Sequence, residues 1–371
     1  MQHFILFIKQ QYFLICFTNI KYGYDGDPAH YNPVDTVLLQ DSWKQISNDF
    51  SIYQFPDTKN LQQFIRMGLT IQNINGEFSS SKKGFYNVSG HAEYRNKTRN
   101  RKWDIEANGK LFFTGLNAGD FEAYVSLQRF TDKKAGYLQV GFENVNRTPS
   151  FIFNSRSSFY LLHTVQDFKK ENSSHIFASF FVPAFKLRLA GNYYLLTNYT
   201  YLGGFYQLKQ ESSLFNILEV SAEKTFALTK HLVWRADIHF QKLIGNGPVN
   251  LPLIYTRNRI GYEGDLGFKN LDIAIGFEIL YRSPYKADNY SPVLGRFFYQ
   301  DSLRISNSVP DISAYLHFRI RPFKAFVRAE NLNTARSLGG GFGFTRNNLV
   351  APGYPYPGLQ FRIGIYWSFV N

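Results

Sequence analysis

Leu359-Gln360-Phe361-Arg362-Ile363-Gly364-Ile365-Tyr366-Trp367-Ser368-Phe369-Val370 closes this chain, and it alternates strictly. Leu359, Phe361, Ile363, Ile365, Trp367 and Phe369 are apolar, while Gln360, Arg362, Gly364, Tyr366 and Ser368 fall between them. A period of two puts the two sets on opposite faces of a β-strand. A tilted strand of about ten residues is long enough to cross a bilayer. The stretch therefore reads as a membrane-class strand with one face for hydrocarbon and one for water.

The same pattern recurs upstream. Leu271, Ile273, Ile275, Phe277, Ile279 and Tyr281 oppose Asp272, Ala274, Gly276 and Glu278. Phe185, Leu187, Leu189, Gly191, Tyr193 and Leu195 oppose Lys186, Arg188, Ala190 and Asn192, and Leu232, Trp234, Ala236, Ile238 and Phe240 oppose Val233, Arg235, Asp237, His239 and Gln241. Trp103, Ile105, Ala107, Gly109, Leu111 and Phe113 oppose Lys102, Asp104, Glu106, Asn108 and Lys110. Segments of roughly ten alternating residues separated by turn residues are the signature of a transmembrane β-barrel.

Composition points the same way. The 371 residues include 37 Phe and 25 Tyr, yet mean hydropathy is only −0.27, because each apolar residue is matched by a polar one on the other face. No run approaches the roughly 18 apolar residues of a membrane helix. The single cysteine, Cys16, excludes a disulfide framework and a multi-cysteine zinc site. The net charge of +13 is spread over strands and turns instead of one patch or helix, which argues against nucleic acid. Charge in a pore or against anionic headgroups accounts for it better.

The pattern predicts an all-β fold: a transmembrane antiparallel up-and-down barrel of about 16 strands (14–18). The strands are expected near 64–72, 83–95, 101–114, 119–130, 135–145, 155–165, 173–181, 185–198, 201–209, 213–225, 230–243, 254–265, 269–283, 311–321, 322–333 and 358–370. Residues 63–371 form the expected barrel. Residues 1–62 are expected to lie outside it, as a degenerate signal or truncated start followed by a periplasmic or plug-like stretch. Two long connections, 283–310 and 333–357, belong on the outer side if short turns face the periplasm.

Charge cost assigns the faces. Arg or Lys facing lipid costs about 2–4 kcal/mol near the bilayer midplane, so Lys186 and Arg188 should face a lumen. The same alternation places Arg235, Asp237, His239, Asp272, Glu278, His317, Arg319, Lys324, Arg328, Glu330 and Arg362 there, with His91, Glu93, Lys102, Asp104 and Glu106. For any one of these the plain reading is a wall residue paired with a neighbour, since buried charges persist by pairing. Trp103, Trp234, Trp367 and Tyr281 are candidates for interfacial girdles or for packing between strands.

Several blocks resemble one family. Leu251-Pro252-Leu253-Ile254-Tyr255-Thr256-Arg257-Asn258-Arg259, Tyr290 to Gln300, the Pro310-Asp311 strand start, Ala329-Glu330-Asn331-Leu332-Asn333 and Tyr354-Pro355-Tyr356-Pro357-Gly358 are similar to the "putative porin" family of Bacteroidetes outer membranes. The similarity is clearest over residues 250–371. It implies a cell outer-membrane porin-like channel for passive diffusion of small hydrophilic solutes, and an interior rich in Arg and Lys would make it mildly anion-preferring. Its implied partners are the lipid bilayer and lipopolysaccharide, barrel-assembly machinery through the C-terminal strand, and small polar solutes, with no nucleic acid, cofactor or metal.

Three other classes compete. A TonB-dependent receptor has similar final strands but needs about 22 strands and a plug, so 371 residues could supply only a fragment. A barrel phospholipase needs a serine beside a histidine base. His163 and His175 have serines near them in sequence, but there is no Gly-x-Ser-x-Gly elbow, and no enzyme activity is expected. The third class is a structural or assembly barrel with a filled lumen.

Overall fold

In the computed structural model the alternation becomes one large antiparallel sheet. The structure describes residues 4–16 and 39–368, apart from 79–80, 162–164, 293, 306–308, 321–322, 335, 338–339, 342–348 and 356–357. In chain order the first nine strands are β1 (Phe4–Cys16), β2 (Ser42–Gln54), β3 (Gln63–Glu77), β4 (Lys82–Lys97), β5 (Trp103–Gly115), β6 (Phe121–Asp132), β7 (Gly136–Arg147), β8 (Glu171–Val182) and β9 (Leu187–Thr197). A short hairpin, β10 (Tyr199–Leu202) and β11 (Leu208–Glu211), precedes β12 (Phe215–Ala227), β13 (Leu232–Ile244), β14 (Ile254–Gly264) and β15 (Leu271–Arg282). The next connection carries β16 (Tyr285–Lys286), β17 (Asn289–Ser291), β18 (Arg296–Phe298) and β19 (Arg304–Ile305). It leads to β20 (Asp311–Ile320) and β21 (Phe323–Glu330). Four two- or three-residue strands, β22 (Arg336–Ser337), β23 (Gly340–Gly341), β24 (Leu349–Ala351) and β25 (Tyr354–Pro355), come before the last strand, β26 (Gln360–Trp367).

The sheet order is β1-β2-β3-β4-β5-β6-β7-β8-β9-β12-β13-β14-β15-β20-β21-β26. Each strand pairs antiparallel with its predecessor, an up-and-down meander. Among the described residues β1 and β26 each have one neighbour in it. No helix of the described residues is long and apolar enough to cross a membrane, which says nothing about crossing by strands.

The sheet differs from the sequence expectation at three places. β1 and β2 lie within the 1–62 segment expected to stand outside, and β2 pairs with β3 over its whole length. Its outward Ile46, Phe50 and Ile52 are interrupted by Asn48, which blurs the period. Residues 17–38 of that segment lie outside the described residues. Residues 155–161 of the expected strand 155–165 form a loop entered through a 3-10 turn at Phe151–Phe153, and 162–164 lie outside the described residues; Phe159, Tyr160 and Leu161 serve a cluster at the sheet's end, and a short apolar run does not reveal its own conformation. The expected strand 201–209 is the β10–β11 hairpin off the main sheet, bent at Gly203 and at Gly204 with φ of +80°. Phe369 and Val370 of the expected final strand lie outside the described residues.

Register fixes the faces. Phe361, Ile363, Ile365 and Trp367 stand on one side of β26, and Ile363 is 72% exposed. Cross-strand partners continue that apolar face, as in Phe50↔Leu69, Leu127↔Val140, Phe142↔Ile176 and Ile260↔Phe277. The opposite face carries most of the strand charges, while Lys44, Arg129 and Lys242 share the apolar face. Tight turns hold one end: Asp132 accepts from the backbone N–H groups of Lys134 and Ala135 at 2.7 and 2.6 Å. Gly136 then follows at φ +73°, where a Cβ would lie 2.0 Å from the Phe181 carbonyl oxygen.

Antiparallel order sends the connections 148–170, 198–214, 283–310 and 331–359 to one common end. There Leu39, Ile152, Phe153, Phe159, Leu202, Leu208, Leu294 and Phe298 form a buried apolar cluster, with Tyr160, Leu161 and Phe168 packed on it. The core of this fold is thus a cap that joins Leu39, just before β2, to residues of the connections 148–170, 198–214 and 283–310.

Candidate functional site: the charged face and its capped end

The densest site on the polar face surrounds Glu278. Strand register sets Arg259 directly across β14–β15 from it, and places Arg257 and Arg328 within reach. Arg257 donates to Glu278 Oε2 through Nε and Nη2 at 3.0 and 2.7 Å, and Arg259 Nη2 donates to the same oxygen at 2.8 Å. Arg328 Nη2 donates to Oε1 at 2.6 Å. The Glu278 side chain is only 6% exposed, against 45%, 32% and 24% for Arg257, Arg259 and Arg328. Glu330 continues the network, with Arg328 Nε and Arg362 Nε each 2.9 Å from its carboxylate. Four guanidinium groups thus meet two carboxylates on one patch.

Small residues make room for this patch. Gly261 and Gly276 are cross-strand partners, and a Cβ on Gly276 would lie 2.2 Å from the Ile260 carbonyl oxygen. The Tyr315 ring, 4% exposed, lies over this pair, and Arg259 stacks on it at 5.3 Å. A flat guanidinium on a ring keeps its edge free for carboxylates.

The other expected wall residues occupy smaller pairs. Arg235 forms a bidentate pair with Glu263. His239 sits between Glu219, 2.8 Å from Nδ1, and Asp237, 2.9 Å from Nε2. Arg188 lies 3.7 Å from Glu223, and Arg319 lies 3.6 Å from Asp272. His317 rests near Phe326 and Tyr315, and the Lys324 ammonium sits over Tyr366. Lys186 is not a strand residue: it caps the 3-10 turn Pro183–Phe185 at φ +46°, since Pro183 breaks the alternation. It still borders a recess of about 560 Å³ with Arg188, Glu223, Arg235 and Arg257. A second recess, of about 730 Å³, is bordered by Asp272, His317, Arg319 and Lys324. Lys102 falls in the turn between β4 and β5.

A separate network joins β2, β3 and β4. Asp49 accepts from Ser51 Oγ at 2.6 Å and from Thr70 Oγ1 at 2.7 Å, and Arg66 Nη2 lies 3.3 Å away. His91 places Nε2 3.2 Å from Ser51 Oγ and Nδ1 3.6 Å from Asp49. Serine, histidine and carboxylate meet here as in a hydrolase, but Ser51 has no exposed surface and its hydroxyl is committed to Asp49 and Arg66. A nucleophile must reach its substrate, so this trio braces the wall. Among the described residues no three His, Cys, Asp or Glu side chains are placed to hold a metal ion.

Polar anchors fix the cap. Ser157 Oγ and the Ser158 N–H donate to buried Asp41 at 2.6 and 2.9 Å. Ser291 Oγ donates to the Phe205 carbonyl, and Asn250 Nδ2 donates to Asp288 Oδ1 at 2.9 Å and to the Gln300 carbonyl at 2.7 Å. Burial pushes the Asp288 carboxyl above its ordinary range, and the bond from Asn250 only partly opposes it. Burial likewise raises the phenols of Tyr199 and Tyr299.

Arg257, Arg259, Glu263 and Tyr315 were not among the wall residues expected from sequence. β14 hides Arg257, Arg259 and Glu263 because its apolar face carries Thr256 and Asn258, where Asn258 accepts from the Trp234 indole at 3.0 Å and donates to Thr256; Tyr315 stands on β20. With polar residues on both faces the two-residue contrast vanishes. The signal that survives is a matched partner: Glu278 on β15 needs a cation across the ladder.

Residues 11–371 match the family described as "Putative porin". The chain belongs to that family. The match reaches well before residue 250, where the sequence resemblance is clearest, and takes in β2. No curated protein matches the chain. Among solved structures it is similar to a mutant of the ferric enterobactin receptor PfeA from Pseudomonas aeruginosa (11% identity, 99% of this chain and 59% of that chain, TM-score 0.65). It is also similar to the "Copper transporter OprC" (13%, 90% and 60%, 0.62) and to the siderophore receptor PirA from Acinetobacter baumannii (10%, 91% and 56%, 0.60). These neighbours are outer-membrane barrels, and the likeness is one of fold. This porin-family chain spans about three fifths of their length.

Proposed function

We propose that the sheet closes on itself by pairing β1 with β26, as an outer-membrane barrel of sixteen strands that passes small hydrophilic solutes passively. Open strand edges inside hydrocarbon would leave backbone groups unpaired at several kcal/mol each, which is the physical reason for closure. The observation that carries the channel reading is the polar face: its charges are paired along the wall and border water-accessible recesses, so the space beside them need not be filled. Pairing keeps selectivity weak. The surplus of guanidinium groups over carboxylates around Glu278 and Glu330 tips it mildly toward anions. The cap narrows the outer mouth. Bilayer lipid, lipopolysaccharide and the barrel-assembly machinery are the proposed partners, and no catalytic role is assigned.

Single-channel conductance of the refolded protein in a planar bilayer, under a salt gradient, tests this reading. Stable steps with a reversal potential of anionic sign are expected. Silence from a protein shown to be a folded barrel would favour a capped, structural barrel instead, a reading supported by the buried cluster across the connections.

A further inference from the structure

Aromatic rings stand in two groups along the polar face of β6 to β9, with the row Gln139, Ser179 and Ala190 between them. Near the short-turn end Tyr137 and Phe181 are cross-strand partners with centroids 5.6 Å apart. Further along, Phe177 lies 6.0 Å from Tyr124 in a stacked pair and 5.2 Å from the His175 ring. His175 stacks on Tyr194 at 4.3 Å with 9° between planes. All six rings are half-buried, so each keeps part of its surface open on the water side of the sheet.

Both groups open into recesses. Tyr137 and Phe181 border the 560 Å³ recess beside Arg188, Glu223 and Arg235. His175 borders a recess of about 190 Å³ at the capped end, with Glu143, Ser173 and Tyr199. Hydrogen-bonding groups flank the rings: Asn192 lies 3.0 Å from His175 Nε2, Glu143 lies 3.6 Å from Nδ1, and Glu219 is the register partner of Asn192.

Open ring surface on a wetted wall is unfavourable unless something covers it. An ion-conducting wall has no use for it, and the apolar face, where such residues would bury, lies one residue away. Flat apolar patches with donors and acceptors at their edges match a ligand of the same two-sided chemistry. A pyranose fits: its axial C–H bonds form an apolar face and its hydroxyls a polar rim.

We propose that the two groups form a saccharide-binding track leading from the capped end to the short-turn end. The proposal deepens the channel reading by naming its solute class, and it rests on that reading for transport though not for binding. Phe177 also has a packing duty, because its ring covers Gly141, where a Cβ would meet it at 2.2 Å. Tyr124 and Tyr194 are therefore the positions to vary.

The test uses the refolded full chain and maltohexaose, with tetraglycine as a polar control. Titration calorimetry in detergent reads binding whether or not the lumen conducts, and current block in a bilayer reads transit. Maltohexaose should bind and block, and tetraglycine should do neither. Tyr194→Leu, which keeps bulk but removes the flat face, should weaken binding about tenfold, the loss of one aromatic contact. Tyr194→Phe should hold it near wild type, and Leu218→Ala on the apolar face should change nothing. Conductance without maltohexaose binding would overturn the track and leave the channel standing. Binding without conductance would keep the track and sink the channel. Undiminished binding in a correctly folded Tyr124→Leu/Tyr194→Leu protein would also overturn the proposal.

Discussion

Replacing Glu278 by Gln should be the most damaging conservative change on the polar face. The carboxylate is nearly inaccessible and takes four contacts of 2.6–3.0 Å from three guanidinium groups. Breaking a buried ion pair by removing one partner costs about 3–5 kcal/mol, because the remaining charge is left uncompensated. Here the cations are 24–45% exposed, so water recovers part of the loss and the lower end, about 3 kcal/mol, applies. That is roughly a hundredfold in the ratio of folded to unfolded protein. Urea titration of the barrel in detergent micelles, followed by tryptophan fluorescence, would read it as a lowered midpoint. In the bilayer the same variant adds net positive charge to the wall, so its reversal potential should move toward anions. Adding Arg328→Met should recover part of the stability, since it removes one of the orphaned cations. A Glu278→Gln protein within about 0.5 kcal/mol of wild type, the range of ordinary surface changes, and with an unchanged reversal potential, would refute the account of this cluster.

Gly276→Val places a side chain where even a Cβ meets the Ile260 carbonyl at 2.2 Å; overpacking of about 1–3 kcal/mol should appear as reduced heat-resistant folded protein on gels. Arg188→Glu with Arg235→Glu should shift reversal potential toward cations, and no shift would remove both residues from the conducting wall. Asp288 has a raised folded-state value, so its contribution to the cap is fully favourable below the ordinary 3.8 and is lost as pH rises through the raised value. Asp288→Asn should therefore melt higher than wild type at neutral pH and equal to it below that ordinary value, by circular dichroism.

The sheet was legible in the sequence wherever a face was uniformly apolar, as in β15 and β26, because lipid exposure demands a clean period of two. It was illegible where that demand relaxes. β2 carries Asn48 outward, and β14 satisfies Thr256 and Asn258 through Trp234, so neither strand advertises its faces. The charged wall was read by alternation alone. Which charges meet depends on register across strands, and so the triple-arginine site at Glu278 emerged only from the ladder. Local spacing predicts one sheet strand each at 155–165 and 201–209, where residues 155–161 form a loop and 201–209 a hairpin off the sheet, since the apolar residues of the cap pack against segments far away in the chain and spacing carries no record of that.

The anchoring of the cap also dictates an order of assembly. Neighbouring strands are joined mostly by short turns and can zip sequentially, whereas the cap unites Leu39 with Phe298 and Asp41 with Ser157. Contacts so distant in sequence are slow to form, because the loop-closure entropy comes first. The chain should therefore insert with an open mouth and shut it last. Limited proteolysis during refolding would show this as a 283–310 connection that stays cleavable after the strands have become resistant.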